Sequence, residues 1–284
     1  MKTKKLINII VIPIFNDWKS LTKLLFEINK NANTNNLCRV LVIDDFSSKK
    51  ESIKKKKFRN IKKIEILRLE NNIGSQKAIA VALNYLKEKR QEFDFITIMD
   101  GDGEDNPKEI IEMIETANKN RNSVVVSCRK NRQENYLIKS FYRIHLIITF
   151  FFTGKWISFG NFSCFYYKNL AKILSDNSVW YAYSAAVMKN TSIKRIYASR
   201  EKRYFDKTKV NIFFLILHSL RIIGVFNKKL IFFSFLYLII LNILSLEYFI
   251  FINFIITIFI LVIFLVMKLS KKENSYKFKL KKIK

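Results

Sequence analysis

Histidine, proline, cysteine and glycine are all scarce in this chain: two, two, three and six residues among 284. Each scarcity removes support for a class of function. Cys38, Cys128 and Cys164 show neither paired nor zinc-ligand spacing, so a reducing, cytoplasmic setting is expected rather than a disulfide framework. Cys38 and Cys128 lie in or beside strand-like runs and read as small buried residues. No G-x-G-x-x-G follows the first apolar run, and no G-x-x-x-x-G-K-[ST] occurs, so dinucleotide-binding and P-loop readings lose their main support. With so few glycines, backbone amides are poorly supplied for cradling phosphates, and a metal ion is expected to neutralise more of any phosphate charge. Neither His145 nor His218 lies in a motif, and both read as structural or interfacial residues.

Acidic residues are also few, 23 against 51 lysines and arginines, giving a formal net charge of +28. Such an excess fits a nucleic-acid partner, an anionic membrane surface, or a genome that favours Lys, Ile and Asn. Lys far outnumbers Arg, whereas readers of bases and phosphates lean on Arg forks. No nucleic-acid-binding motif or basic–aromatic interleaving accompanies the charge, so no nucleic-acid partner is expected. The run KKESIKKKKFRNIKK (49–63) reads as a solvated loop that adds attraction to anionic lipid if the protein is tethered to a membrane. The N-terminal MKTKKLINIIVIPIF imitates a signal peptide, but Asn8 and Pro13 break its short apolar run and no small-residue cleavage site follows.

Half the residues are apolar, enough for a core in one moderate domain with an appendage, or in two small domains. From residue 1 to about 130, runs rich in Ile and Val alternate with helical patterns. INIIVIP (7–13), RVLVID (39–44), IEILRL (64–69), FITIMD (95–100) and SVVVSC (123–128) read as strands buried on both faces. Between them, Trp18, Leu21, Leu25 and Ile28 form one helical stripe, and Ile79, Ala82, Leu83 and Leu86 another. In NPKEIIEMIETANK, Asn106 is the expected N-cap, Pro107 the first helical residue and Glu109 the third. This alternation predicts an α/β sheet with right-handed crossovers, whose ligands bind at the carboxyl ends of the strands. IPIFND, VIDDFSS and IMDGDGED all fall at that edge.

The segment 138–156 is an aromatic, apolar helix whose place, core or membrane, periodicity leaves open. Residues 211–229 form an amphipathic pattern suited to a membrane interface, with a third short span or a core helix as alternatives. Residues 230–246 and 248–267 are nearly free of charge and are separated by Glu247. Lysines flank both ends, so a membrane hairpin with both flanks cytoplasmic is expected; the alternative is a buried helical hairpin. The expected division is therefore an α/β domain over 1–210, an interfacial helix over 211–229, two transmembrane helices over 230–268 and a basic cytoplasmic tail over 269–284.

FITIMDGDGEDNP (95–107) places Asp100, Asp102, Glu104 and Asp105 within six positions. Crowded acids repel unless a cation sits among them, and oxygen ligands of this kind suit Mg²⁺ or Mn²⁺. Asp100 and Asp102 are the expected metal ligands, with Glu104 a third, water-mediated contact. Successive side chains of an extended chain point oppositely, so a turn at Gly101 is needed to bring both acids to one region. The alternative is an acid cluster favoured by the dipole of the following helix.

In order and spacing, VIPIFND (11–17), VIDDFSS (42–48), NNIGSQKAIAVAL (71–83) and IMDGDGEDNPKEI (98–110) resemble the signatures of glycosyltransferase family 2, with its GT-A fold. The last is similar to that of the branch acting on polyprenyl phosphates, which includes dolichol-phosphate mannose synthase. RYFDKTKV (203–210) resembles that branch's R-x-x-G-x-S-K-Y. The chain departs from the pattern at Phe15 for Tyr, Asp17 for Glu, Phe46 for Gly and Glu104 for Gln. It departs again in GNFS (160–163) for G-D-F-R, at Asp206 for Gly and at Thr208 for Ser.

The resemblance implies a metal-dependent, inverting transfer of a sugar from a nucleotide-sugar donor to undecaprenyl phosphate or a similar lipid. It implies Asp100 and Asp102 as catalytic metal ligands. Pro13, Phe15, Asp17 and Gly74 would line the nucleotide pocket, and Asp44 and Asp45 would accept from its base or ribose. Arg129 and Arg132 would meet donor phosphate or sugar, and Arg203 and Lys209 would hold the acceptor phosphate. Such an acceptor is ionised at neutral pH, so no strong general base is required. A cell-envelope glycan acceptor and a catalytically degenerate membrane-bound homologue remain the alternatives. The implied location is the inner membrane, with the catalytic domain cytoplasmic; a homo-oligomer is compatible with it.

Overall fold

The computed structural model describes residues 6–32, 36–48, 53, 58–89, 92–129, 136–199, 201–205, 212–243, 249–270 and 277–283. The five Ile- and Val-rich runs form β1 (Leu6–Ile14), β2 (Asn36–Asp44), β3 (Ile61–Leu69), β4 (Phe95–Ile98) and β5 (Ser123–Arg129). Three further strands complete the sheet: β6 (Phe159–Tyr166), β7 (Ser192–Ala198) and β8 (Phe278–Ile283). The order across the sheet is β7-β5-β6-β4-β1-β2-β3-β8. β1, β2, β3 and β4 run parallel, and β6 and β8 run antiparallel to their neighbours. β1 sits between β2 and β4, so the chain order reverses there and opens a crevice at the carboxyl edge.

Alternation along β1 feeds two cores. Ile9 and Val11 face one layer, with α2 (Ser75–Glu88) and α6 (Tyr183–Asn190). Ile10, Ile12 and Ile14 face the other, with α1 (Trp18–Asn31) and α3 (Glu109–Lys119). The expected stripes are the buried ones: Trp18, Leu21, Leu25 and Ile28 on α1, and Ile79, Ala82, Leu83 and Leu86 on α2. Each Leu or Ile among them contributes about 1.5–3 kcal/mol by leaving water. α3 starts later than expected. Pro107 and Lys108 form a turn, and regular helix begins at Glu109; Asn106 Oδ1 still accepts from the Lys108 N–H at 3.0 Å, so it caps the entry. All three cysteines are free and buried, and burial pushes the Cys38 and Cys164 thiols up to about 12.

The apolar segment left open above forms α4 (Tyr136–Thr153), followed after β6 by the short α5 (Asn169–Ile173). The C-terminal segments form α7 (Ile212–Gly224), α8 (Asn227–Ile243) and α9 (Phe249–Ser270). Ile223, Leu230 and Ile263 make a small core of their own, against Ile148 and Phe152 of α4. Much of the remaining apolar surface is exposed, including Phe213, Phe232, Ile250 and Phe254. Among the described residues no single helix is long and apolar enough to cross a membrane. Phe213–Gly224 and Asn227–Ile240 qualify together but meet at an 88° bend, and Ile250–Val266 is shorter.

One expectation is corrected. Phe278–Ile283, within the segment read as a basic tail, returns to the sheet as β8 and pairs antiparallel with β3, Leu280 opposite Leu67. Phe278 packs edge-on against Tyr85 of α2, giving the strand an apolar anchor despite its lysines.

Candidate active site

The carboxyl ends of β1, β2 and β4 lie side by side. Ile14 is in register with Asp44, and the Met99 N–H donates to the Val11 carbonyl. The loops that leave β1 and β2 are stitched together. The Asp45 N–H donates to the Ile14 carbonyl at 2.9 Å, and the Asn16 N–H to Ser47 Oγ at 2.8 Å. Asn16 Oδ1 in turn accepts from the Ser48 N–H and hydroxyl. Both loops need the left-handed backbone, at Asn16 (φ 53°) and Phe46 (φ 64°). Asn tolerates that region, whereas Phe is strained there by about 1–2 kcal/mol. Phe15 and Phe46 are each 49% exposed on this edge. The Arg68 guanidinium lies 6.0 Å from the Phe46 ring centre.

Asp44 and Asp45, expected to meet the nucleotide, are buried and hydrogen-bonded within the protein. Asp44 Oδ2 accepts from Arg68 at 2.8 Å and its Oδ1 from the Ser47 N–H at 2.9 Å. Asp45 accepts from the N–H groups of Ile73 and Gly74, both at 2.8 Å. Burial raises the Asp45 carboxyl above its ordinary range, the two N–H groups oppose that shift, and neighbouring Asp44 adds to it. Asp45 thereby fixes the entry to α2, where Gly74 adopts φ 85°. Arg68, the partner of Asp44, carried no signal in the sequence beyond its place in a strand.

The acidic loop follows β4. Gly101 is needed for space rather than for an unusual φ. A Cβ there would lie 2.9 Å from Ile14 Cγ2 and 3.2 Å from the Pro13 carbonyl oxygen. The positive φ falls instead at Gly103 (88°), and the Tyr204 ring occupies the place of its missing side chain. The expected turn does begin at Gly101, and the chain bends on through Gly103. The Asp100 N–H donates to Asp105 at 2.8 Å, and Asp102 Oδ1 accepts from the Glu104 N–H at 3.1 Å. Among the described residues, no three acidic, His or Cys side chains are gathered as a metal cage. The expected trio of Asp100, Asp102 and Glu104 is not assembled: Asp100 turns to Asn161 and Asp102 to Arg203. Two carboxylates from one loop still fit Mg²⁺ or Mn²⁺, which take one or two protein carboxylates and complete their shell with phosphate and water.

Residues 201–205 lie over this loop. The Glu201 N–H donates to the Glu104 carbonyl and the Tyr204 N–H to the Asp102 carbonyl, both at 3.0 Å. Arg203 reaches Asp17 Oδ2 at 3.2 Å and Asp102 Oδ2 at 3.6 Å. Asp17 also caps α1 through the Ser20 N–H. The Lys23 ammonium sits 4.5 Å over the Tyr204 ring. Arg203, far from the acidic loop in sequence, is thereby brought between Asp17 and Asp102. Arg129 ends β5, whereas Arg132 and Lys209 lie outside the described residues.

Behind Asp100, Asn161 of β6 donates to its Oδ1 at 3.0 Å, and Gln76 of α2 donates to Asn161 Oδ1 at 3.1 Å. Residue types alone gave Gln76 no functional mark, and Asn161 stood out only as a departure from a motif. At the first residue of α3, burial lifts the Glu109 carboxyl to about 7, helped by the charge of Glu112; Ser127 Oγ donates to it at 3.5 Å.

A family model described as Glycosyl transferase family 2 matches residues 9–211. No curated protein matches the chain. Among solved structures, glucosyl-3-phosphoglycerate synthase from Mycobacterium tuberculosis, in complex with Mn²⁺, UDP-glucose and phosphoglyceric acid, is similar at TM-score 0.56 and 11% identity, covering 80% of each chain. TarS 1–349 from S. aureus, in complex with UDP-GlcNAc, is similar at TM-score 0.48 and 19% identity, over 78% of this chain and 66% of that one. A second S. aureus TarS structure is covered over only 39% of its length, at TM-score 0.48 and 18% identity. The chain thus spans less than two thirds of these two TarS chains. At such identities the likeness is one of fold.

Proposed function

The chain belongs to glycosyl transferase family 2, with an α/β domain of GT-A type, and from that premise we propose that it moves a sugar from a nucleotide-sugar donor to a polyprenyl phosphate at the cytoplasmic face of a membrane. Arg203 is the observation that carries this reading. It stands on the acceptor-side segment yet lies between Asp17 and Asp102 on the donor-side edge. An acceptor phosphate drawn to that guanidinium arrives beside the loop where the donor diphosphate would be held.

In this scheme Phe15, Pro13, Asp17 and Gly74 frame the nucleotide, with Asp44 and Asp45 holding the frame from behind. Asp100 and Asp102 would hold Mg²⁺ or Mn²⁺, with Glu104 reaching it through water. The ion, when bound, supplies positive charge to the departing nucleoside diphosphate. Arg129 and Arg132 meet the donor, and Arg203 and Lys209 orient the acceptor. An acceptor phosphate oxygen attacks the anomeric carbon, the bond from that carbon to the nucleoside diphosphate breaks, and configuration inverts. The nucleophile is already ionised, which agrees with the lack of a histidine on this edge.

The catalytic domain of residues 1–210 would work beside a lipid-embedded unit: α7 in the interface, and α8 and α9 as a hairpin. Their exposed apolar side chains support this arrangement.

The test is a product assay. Protein in detergent is given polyprenyl phosphate, Mn²⁺ or Mg²⁺ and a panel of nucleotide sugars, beside Asp102→Ala. A lipid-linked sugar, made only with metal and reduced roughly a thousandfold in the variant, is expected if the site supplies several kcal/mol to the transition state. Donor consumption without lipid product would assign the sugar to another acceptor, such as a glycan. No donor binding under any metal condition would overturn the enzymatic scheme in favour of a degenerate homologue.

A further inference from the structure

Asp100 is held from behind by groups outside its own loop. Asn161 Nδ2 donates to Asp100 Oδ1 at 3.0 Å, Gln76 Nε2 donates to Asn161 Oδ1 at 3.1 Å, and the Tyr183 backbone N–H donates to Gln76 Oε1 at 2.8 Å. The last contact settles the direction of the others. A backbone N–H can only donate, so Gln76 must present its oxygen to it and its amide hydrogens to Asn161. Asn161 must then accept from Gln76 and donate to Asp100. The polarity of two side-chain amides is thereby fixed from a main-chain group at the start of α6.

The frame around the relay is rigid. Ser163 donates to the Asn161 carbonyl at 3.0 Å and shares a 2.7 Å hydrogen bond with the hydroxyl of Tyr183, which is fully buried. β6 and the first turn of α6 therefore carry both ends of the relay.

We propose that Gln76 and Asn161 are positioning residues that fix the Asp100 carboxylate through a one-way amide relay anchored on the Tyr183 N–H. The proposal rests on the reading of Asp100 and Asp102 as metal ligands. An aspartate in place of Asn161, as the resembling motif has it, would instead turn a second carboxylate toward Asp100. Asn161 thus replaces repulsion with a donor, and Gln76 keeps that donor turned the right way.

The direction of the relay gives a test that a packing role does not share. Gln76→Glu is isosteric and can still accept from Tyr183, but it offers no hydrogen to Asn161. The Asn161 amide then flips to donate to Glu at that position and turns its oxygen toward Asp100. A change that leaves both Asp100 and Asn161 unsubstituted should therefore disturb the acidic loop.

Mn²⁺ binding to the full chain in detergent, with UDP present, is followed by electron paramagnetic resonance for the wild type, Gln76→Glu, Asn161→Ala, the double variant and Asp102→Ala. Supporting groups behind metal ligands commonly alter affinity by about 10–100-fold. A rise of roughly tenfold in the Mn²⁺ dissociation constant is expected for each single variant. The double variant should be no weaker than the weaker single one, because both cut the same relay. Mn²⁺ affinity within twofold of wild type in both single variants, while Asp102→Ala weakens it, would overturn the relay and leave the metal site standing. Additive losses in the double variant would overturn it as well. Absence of Mn²⁺ binding in the wild type, or equal binding in Asp102→Ala, would instead overturn the metal reading and the relay with it.

Discussion

Val42 and Ile258 are aliphatic residues in strongly apolar surroundings, yet Val42 is completely buried in β2 whereas Ile258 is 44% exposed on α9. The difference holds for the regions around them. The sheet turns its Ile and Val side chains into two closed layers, while α7, α8 and α9 close only a small core around Ile223, Leu230 and Ile263. Apolar content therefore carries two meanings in one chain. In the sheet it drives folding out of water. In the helices most of it faces outward, as surface that lipid would cover better than water.

An added charge should separate the two regions most sharply. Val42→Asp places an unpaired carboxylate in the sheet and should cost more than about 4 kcal/mol, leaving little folded protein by circular dichroism. Ile258→Asp should leave the thermal midpoint of the sheet nearly unchanged while weakening vesicle binding, since Asp within an apolar span costs about 2.5–3.5 kcal/mol. Equal unfolding by both substitutions would mean that α9 is a core helix of a soluble fold.

Removing residues 278–283 tests where the boundary between the regions runs. The deletion strips the β3 edge of its partner, and each lost ladder hydrogen bond costs about 1 kcal/mol net. The midpoint of the sheet should fall by several degrees in a thermal melt; an unchanged midpoint would return β8 to the status of a tail.

Smaller effects sharpen the picture of the sheet alone. Phe46→Gly should raise stability by about 1 kcal/mol, since glycine adopts φ 64° without strain. A higher melting midpoint with a weaker donor KM would show that the strained ring is kept for the pocket. A pH dependence centred on Glu109 is also expected. Its carboxyl is raised from 4.5 to about 7 by burial, so the folded chain holds an extra proton between those values. That contribution to stability is complete below about pH 4.5 and is lost as pH rises to about 7. Glu109→Gln should flatten that part of the profile in melts taken across the range.

Much of the sheet was legible because its strands are short apolar runs bounded by turn residues. β1 to β5 and the buried stripes of α1 and α2 fall where their patterns predict. β7 and β8 did not announce themselves. β7 (SIKRIYA) is a half-exposed edge strand, and β8 (FKLKKI) is so rich in lysine that it reads as tail. Their pairing comes from partners distant in the chain, which local pattern does not encode.

The site divides in the same way. Asp100 and Asp102 advertise themselves by crowding, and Gly74 by its place before a helix. Arg68 behind Asp44, and Gln76 and Asn161 behind Asp100, are joined across 24, 85 and 61 residues and leave no local signature. The distinct parts played by Gly101 and Gly103 also depend on neighbours from other segments, β1 for the first and Tyr204 for the second.

The pairing of β8 with β3 has a consequence for the order in which the protein is made. β3 ends at Leu69 and its outer neighbour begins at Phe278. At about 5–20 residues per second, a ribosome needs roughly 10–40 s to travel between them. Throughout that interval the outer edge of β3 offers unpaired backbone groups to any strand nearby, with Lys62 and Lys63 on it as a deterrent. α7, α8 and α9 are synthesised within the same interval. The sheet is therefore completed only after the helices that leave it have emerged, and an arrested chain betrays itself by an open edge.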